Sequence, residues 1–82
     1  MYSVFLADDE PCALMALKNM IPWTDYGFVV SGEAEDGEQA LERIERMGPD
    51  LVISDIRMPG MDGLKLLQTI REKKWDIFCI LF

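Results

Sequence analysis

Leu51-Val52-Ile53-Ser54-Asp55-Ile56-Arg57-Met58-Pro59-Gly60-Met61-Asp62-Gly63 runs from an apolar, β-branched segment into a carboxylate and then into a turn made by Pro and Gly. Residues 51 to 55 read as a strand apolar on both faces, the pattern of a central parallel strand covered by helices above and below. Asp55 stands where that strand ends. The N-terminal stretch repeats the arrangement: Tyr2-Ser3-Val4-Phe5-Leu6-Ala7 leads into Asp8-Asp9-Glu10, and Pro11 suits a first helical turn. Ligands of an open parallel sheet bind beyond the carboxyl ends of its strands, where the winding reverses. Adjacent first and third strands would therefore gather Asp8, Asp9 and Asp55 in one place, and such a cluster invites a divalent cation.

The remaining segments alternate in the same manner. Leu14, Leu17 and Ile21 mark the apolar stripe of a first helix that ends at Pro22. Phe28-Val29-Val30-Ser31-Gly32-Glu33-Ala34 starts aromatic and β-branched and fades into polar residues, which suits a strand lying toward one edge. Asp36 can cap a second helix, with Gln39 in the reciprocal position three residues on. That helix buries Ala40, Leu41 and Ile44, pairs Glu42 with Arg46 four apart, runs to about Met47 and is stopped by Gly48-Pro49. Asp62 can cap a third helix with the stripe Leu64, Leu67 and Ile70, and Arg71, Lys73 and Lys74 lie toward its C-terminal dipole. Ile77-Phe78-Cys79-Ile80-Leu81-Phe82 reads as a fourth strand. The order βαβαβαβ predicts an α/β fold with a parallel sheet and right-handed crossovers, and three helices on four strands leave part of one face bare.

Composition excludes several classes of function. Eighty-two residues, half of them apolar, allow one domain at most, with a high ratio of surface to core. A net charge of -7 and a pI near 4.3 argue against nucleic-acid binding through this segment, which has no Lys and Arg cluster for phosphates. No apolar run approaches the ~18 residues of a membrane span, and no secretory signal opens the chain, so a cytoplasmic location is expected. Cys12 and Cys79 lack metal-type or redox-type spacing and read as small buried hydrophobes.

Asp8-Asp9 after the first strand, Asp55 ending the third, Met58-Pro59-Gly60-Met61-Asp62-Gly63 behind it and Gly32-Glu33-Ala34-Glu35-Asp36-Gly37 before the second helix together resemble the receiver domain of bacterial two-component response regulators. The likeness spans the whole chain, with separate motifs in order and at the right distances. Ile21-Pro22-Trp23-Thr24-Asp25-Tyr26-Gly27-Phe28 is similar to a subgroup attached to an AraC-type DNA-binding domain; the same residues also read as an aromatic staple between the first helix and the second strand. The resemblance implies a flavodoxin-like doubly wound sheet of strand order 2-1-3-4, with residues 1–82 forming the N-terminal part of a receiver domain. A fifth strand and the last two helices, with the Ser or Thr and the Lys that complete the phosphate site, are missing from the stretch.

From spacing alone, Asp55 reads equally as a nucleophile or as a surface residue that ends a strand. The resemblance makes it the phosphoacceptor, attacking a phosphoryl group as carboxylates can. It also makes Asp9 a direct ligand of Mg²⁺, Asp8 a ligand through water, and Asp55 and the Arg57 backbone carbonyl further ligands; the Arg57 side chain reads as solvated. Mg²⁺ takes one or two carboxylates together with phosphate oxygens and waters, a habit this donor set matches. Capping of the first helix accounts for one of Asp8 and Asp9 and leaves the other unexplained.

The implied partners are a sensor histidine kinase and, through an absent C-terminal effector, DNA. Self-association through the fourth-strand edge, at Phe78, Ile80 and Phe82, is also expected. Two other classes compete: a Mg²⁺-dependent aspartyl-phosphate phosphohydrolase, which needs a general acid or cap, and a flavodoxin-like nucleotide or flavin binder, which wants a Gly-rich phosphate loop where Asp8-Asp9-Glu10 stand. Met58, Met61 and the stripe Leu64, Leu67 and Ile70 are assigned to core packing rather than to a partner groove.

Overall fold

Four consecutive residues of the first strand, Val4, Phe5, Leu6 and Ala7, are fully buried, which requires a strand flanked on both edges and covered on both faces. A computed structural model describing residues 1–82 meets that requirement. In chain order the elements are β1 (Tyr2–Ala7), α1 (Pro11–Met20), a 3-10 helix (Trp23–Tyr26), β2 (Phe28–Ala34), α2 (Gly37–Met47), β3 (Leu51–Ser54), α3 (Gly63–Glu72) and β4 (Phe78–Leu81). The sheet order is β2-β1-β3-β4, with every pairing parallel. This is the α/β class expected from the pattern of segments and the 2-1-3-4 order that the resemblance implies.

The period of two along β1 divides the core. Phe5 and Ala7 face α2 and α3, where they join Ala34, Ala40, Ile44, Val52, Met58, Leu66 and Ile70. Val4 and Leu6 face the other way and meet Leu14 of α1. Each large buried aliphatic or aromatic side chain contributes roughly 1.5–3 kcal/mol relative to exposure. The β1–β2 ladder carries one irregularity, with Val4 opposite Val30 and Phe5 opposite Gly32. Ser31 is the extra residue there, and its hydroxyl donates to the Val4 carbonyl at 3.2 Å. At the far end of the sheet, Asp50 accepts from the Ser3 amide at 2.8 Å, tying the start of β3 to the start of β1.

Helix ends follow local chemistry. The carboxylates of Asp36 and Asp62 accept from the Gln39 and Lys65 amides, each at 2.8 Å, and the return bond from the Gln39 side chain is not made. Gly48 closes α2 in the left-handed region, φ 55°, where a side chain is strained. Trp23 bridges α1 and β2: its indole N–H donates to the Leu17 carbonyl at 3.1 Å, and its ring meets Phe28 edge-on at 6.4 Å. Glu42 and Arg46 pair across 3.7 Å on the exposed face of α2.

Three expectations need correction. The buried stripe of α3 is Gly63, Leu66 and Ile70, whereas Leu64 is 57% exposed. Residues six apart, such as Leu64 and Ile70, lie about 120° apart around a helix and cannot share a narrow stripe, while residues three and four apart can. Cys12 is exposed and Cys79 only half-buried; α1 buries Leu14 alone, and Cys12, two positions earlier, points to the opposite side. β3 ends at Ser54 and is unevenly covered: Val52 and Ser54 are buried, Leu51 and Ile53 half-buried. On that thinner side only α1 and Trp23 of the 3-10 helix pack, and Phe78 and Ile80 of β4, in register with Leu51 and Ile53, stand 81% and 50% exposed.

The α3 correction is testable by urea denaturation. Leu66→Ala should cost about 2–5 kcal/mol through the cavity it leaves, and Leu64→Ala should stay within about 0.5 kcal/mol of the parent. Equal losses at the two positions would refute the assigned phase.

Candidate functional site

Register builds the site. β1 pairs with β3 through Leu6 opposite Ile53 and Ala7 opposite Ser54, so the next residues, Asp8 and Asp55, emerge side by side. The Asp55 amide donates to the Ala7 carbonyl at 2.9 Å, carrying the ladder one bond past the last strand residue. On the other flank the Asp8 amide donates to the Ala34 carbonyl at 3.1 Å, which fixes Asp8 between β2 and β3. Asp9 follows on the way to α1. One carboxylate oxygen from each of Asp8, Asp9 and Asp55 lies within 4.8 Å of the other two.

Neither Asp8 nor Asp9 caps α1. The N-cap is Glu10, without a side-chain bond, and Pro11 at the first position removes one of the donors that would need a partner. Asp8 Oδ1 instead accepts from the Glu10 amide at 3.0 Å, a local turn that orients its carboxylate. Asp55 is half-buried and its Oδ1 accepts from the Arg57 amide at 3.2 Å. The Arg57 residue itself is exposed, as read from the sequence.

The cluster is electrostatically unfavourable by itself. Asp8 is 3% exposed. Burial raises its carboxyl above the ordinary value of 3.8; the charges of Asp55 and Asp9 and a side-chain bond with Asp9 raise it too, while the Glu10 amide opposes them. Two carboxylates at about 4 Å repel by about 4 kcal/mol at an effective dielectric of about 20. An all-oxygen, anionic donor set of this kind suits a hard divalent cation better than a soft one.

Sequence reading passed over Ser54. It is fully buried, and its hydroxyl donates to the Asp55 carbonyl at 2.9 Å. Together with the Ala7 bond, this fixes the Asp55 peptide on both sides. The available signal was a hydroxyl in an otherwise apolar strand, immediately before the acid. Gly63 was also missed: its amide donates to the Ile56 carbonyl at 2.8 Å, closing the β3–α3 loop just beyond Asp55.

A parallel 2-1-3-4 sheet with carboxylates clustered at the ends of its two middle strands defines a receiver-type signalling domain. The response regulator receiver domain family matches residues 4–82, and the chain belongs to that family. Among curated relatives, the transcriptional regulatory protein HptR of Staphylococcus aureus is 46% identical over 80 residues, covering 98% of this chain and 32% of its own length. The chain thus spans about a third of that relative. Among solved structures, the receiver domain of AraT, a response regulator from Geobacillus stearothermophilus, superposes with a TM-score of 0.91 at 39% identity, covering 98% of this chain and 62% of that one. The CheX-CheY-BeF3-Mg²⁺ complex from Borrelia burgdorferi gives 0.86 at 30% identity, over 98% of this chain and 60% of that one. No helix here is long and apolar enough to cross a membrane.

Asp8 carries a pH prediction. Because its folded value is raised, the folded state binds that proton more tightly than the unfolded chain, so metal-free stability falls as pH rises through the raised value. Asp8→Asn keeps the oxygen that faces the Glu10 amide and removes the charge. It should raise the metal-free melting temperature near about pH 7 and lose that advantage near about pH 3, where both states are protonated. Scanning calorimetry at the two pH values checks it; an equal effect at both would contradict the account.

Proposed function

We propose that this receiver domain accepts a phosphoryl group on Asp55, with Asp8, Asp9 and the Arg57 backbone carbonyl holding Mg²⁺ beside it. The observation that supports this reading is the approach of the Asp8, Asp9 and Asp55 carboxylate oxygens to within 4.8 Å of one another. Asp9 would hold the ion directly and Asp8 through water, with the Asp55 carboxylate completing the acidic set. When bound, the cation neutralises the charge shared by the acids and the incoming phosphoryl oxygens.

Asp55 does the chemistry. Its Oδ1 is engaged by the Arg57 amide, so Oδ2 is the oxygen that attacks phosphorus in line. An O–P bond forms, and the N–P bond to a phosphohistidine of the donor breaks, its electron pair remaining on the imidazole nitrogen. The donor is a sensor histidine kinase. The Asp55 main chain, held by the Ala7 carbonyl and the Ser54 hydroxyl, gives that side chain a fixed base from which to attack.

Residues 1–82 serve as the N-terminal part of the receiver domain, a reading supported by their coverage of 62% of the Geobacillus receiver chain. The output is transcriptional, as in HptR, and is delivered by an effector outside these residues, of the AraC type. A net charge of -7 supports leaving DNA contact to that effector. The working compartment is the cytoplasm. The module is not a turnover enzyme: its only reaction is its own phosphorylation. A phosphohydrolase would release phosphate continuously, and a flavodoxin-like binder would face repulsion between Asp8-Asp9-Glu10 and a nucleotide phosphate.

Exposure of the full-length protein to acetyl phosphate with Mg²⁺ tests the reading. The expected product is one acid- and alkali-labile phosphate per chain, absent in Asp55→Asn and without chelator-free Mg²⁺. Undiminished labelling of Asp55→Asn would remove Asp55 from the mechanism, and sustained multiple turnover would favour a hydrolase.

The β4 edge supports a second property of the 82-residue chain. Phe78, Ile80 and Phe82 are 81%, 50% and 52% exposed along an open strand edge, a template for pairing with another copy. Light scattering should give dimers or larger species for this chain and a smaller mass for Ile80→Lys; a monodisperse monomer of the parent chain would contradict it.

A further inference from the structure

Helices α2 and α3 both begin with Asp-Gly, and in both the Gly is buried. The aspartates are caps, but capping does not call for Gly at the next position, where intrinsic propensity favours Ala. Close approach does. A Cβ at position 37 would overlap the Met61 carbonyl oxygen and lie 2.6 Å from Met61 Cβ and 2.7 Å from the Met61 carbonyl carbon. A Cβ at position 63 would overlap the Asp55 carbonyl oxygen and lie 3.0 Å from Ile56 Cα. The N-terminus of α2 is therefore seated directly on the backbone of the loop that leaves Asp55.

That loop has little freedom elsewhere. Its start is fixed by the Asp55 amide on the Ala7 carbonyl and the Ile56 amide on the Phe82 carbonyl, at 2.9 and 3.0 Å. Its end returns to its start through the Gly63 amide on the Ile56 carbonyl. Met58, in between, is buried in the main core. A push on Met61 can be taken up by the exposed Pro59-Gly60 turn or passed through Gly63 and Ile56 toward Arg57, whose amide holds Asp55 Oδ1, and the second path is the one that reaches the site.

We propose that Gly37 is a positioning residue for the carboxylate site: by letting the start of α2 rest against the Met61 carbonyl, it sets the path of the loop that carries Asp55 and Arg57. The proposal rests on the Mg²⁺-dependent reading above and adds to it a residue on a different helix, which touches none of the three carboxylates. Gly37 acts through backbone placement alone, so any side chain at this position shifts the Arg57 carbonyl and the Asp55 carboxylate together. The Met61 side chain is secondary, because the tightest obstruction is the main-chain oxygen.

The test compares Gly37→Ala with Gly48→Ala in the full-length protein. Gly48 has φ 55° and nothing within 4 Å of a Cβ, so its substitution strains the end of α2 without reaching the site. Mg²⁺ affinity by titration calorimetry, labelling rate with acetyl phosphate, helix content and melting temperature are measured for both variants and the parent. Displacements of about 1 Å cost up to about a hundredfold in positioned reactions, so Gly37→Ala should weaken Mg²⁺ binding and slow labelling by about ten- to a hundredfold with helix content kept. Gly48→Ala should lower the melting temperature and leave Mg²⁺ affinity unchanged. If Gly37→Ala does not fold, the three proteins are compared in trimethylamine N-oxide, which favours the compact state. A folded Gly37→Ala protein with parental Mg²⁺ affinity overturns the role of Gly37, as does an equal loss of affinity in Gly48→Ala. A parent protein that binds no Mg²⁺ overturns the functional reading itself, an outcome distinct from both.

Discussion

Three like charges are held together here by the register of two strands. Ala7 opposite Ser54 leaves Asp8 and Asp55 no alternative but to emerge as neighbours, and the Asp55 amide on the Ala7 carbonyl extends that constraint one residue beyond the sheet. The repulsion between the carboxylates works against this register, so something else must enforce it. Val4, Phe5, Leu6 and Ala7 supply the enforcement, since sliding β1 by one residue would exchange the side chains of its two faces and misplace all four in both cores. The Ser3–Asp50 bonds pin the same two strands at the opposite end. The site is thus strained electrostatically and rigid mechanically, the combination needed for acids that must stay close before any cation arrives.

The loops above the sheet extend the same logic. Asp36-Gly37 and Asp62-Gly63 each use the carboxylate to satisfy an amide at a helix start and the missing side chain to bring that start against other backbone. The effect is to pack α2, the β3–α3 loop and the end of β3 as one block. Ser54 belongs to this block from beneath, its hydroxyl turned onto the Asp55 carbonyl. Asp55 is held through its main chain, so its carboxylate keeps only one side-chain tie, to the Arg57 amide.

What the sequence disclosed was whatever depends on short-range pattern. The apolar run of β1, the Asp36 and Asp62 caps, the Gly48 stop and the acids at strand ends were all readable, because each follows from local propensity or from the rule that sites lie at strand termini. That Asp8, Asp9 and Asp55 come together was legible for the same reason. The phase of α3 was misread because Gly63 contributes to the buried stripe without being apolar, leaving Leu64 as a false anchor. Cys12 was misassigned on residue type alone, although the Leu14 stripe already placed it: two positions before Leu14, it points away from the side that meets the sheet. The contact between Gly37 and Met61 joins residues 24 apart in sequence through a fold-level encounter that no local window contains.

The division of the core is unequal. Nine buried residues make up the cluster under α2 and α3, and three make up the one under α1. α1 holds on by Leu14, by the Trp23 tie to the Leu17 carbonyl and by a half-exposed Lys18–Glu33 pair at 2.8 Å, a kind of bond worth no more than about 1 kcal/mol. Local opening is easiest where buried apolar contact is scarcest, so the first helix is the layer that detaches before the sheet gives way. Asp8 and Asp9 sit at the seam between the two, and an ion gripping both of them and Asp55 would rivet the loose layer to the firm one.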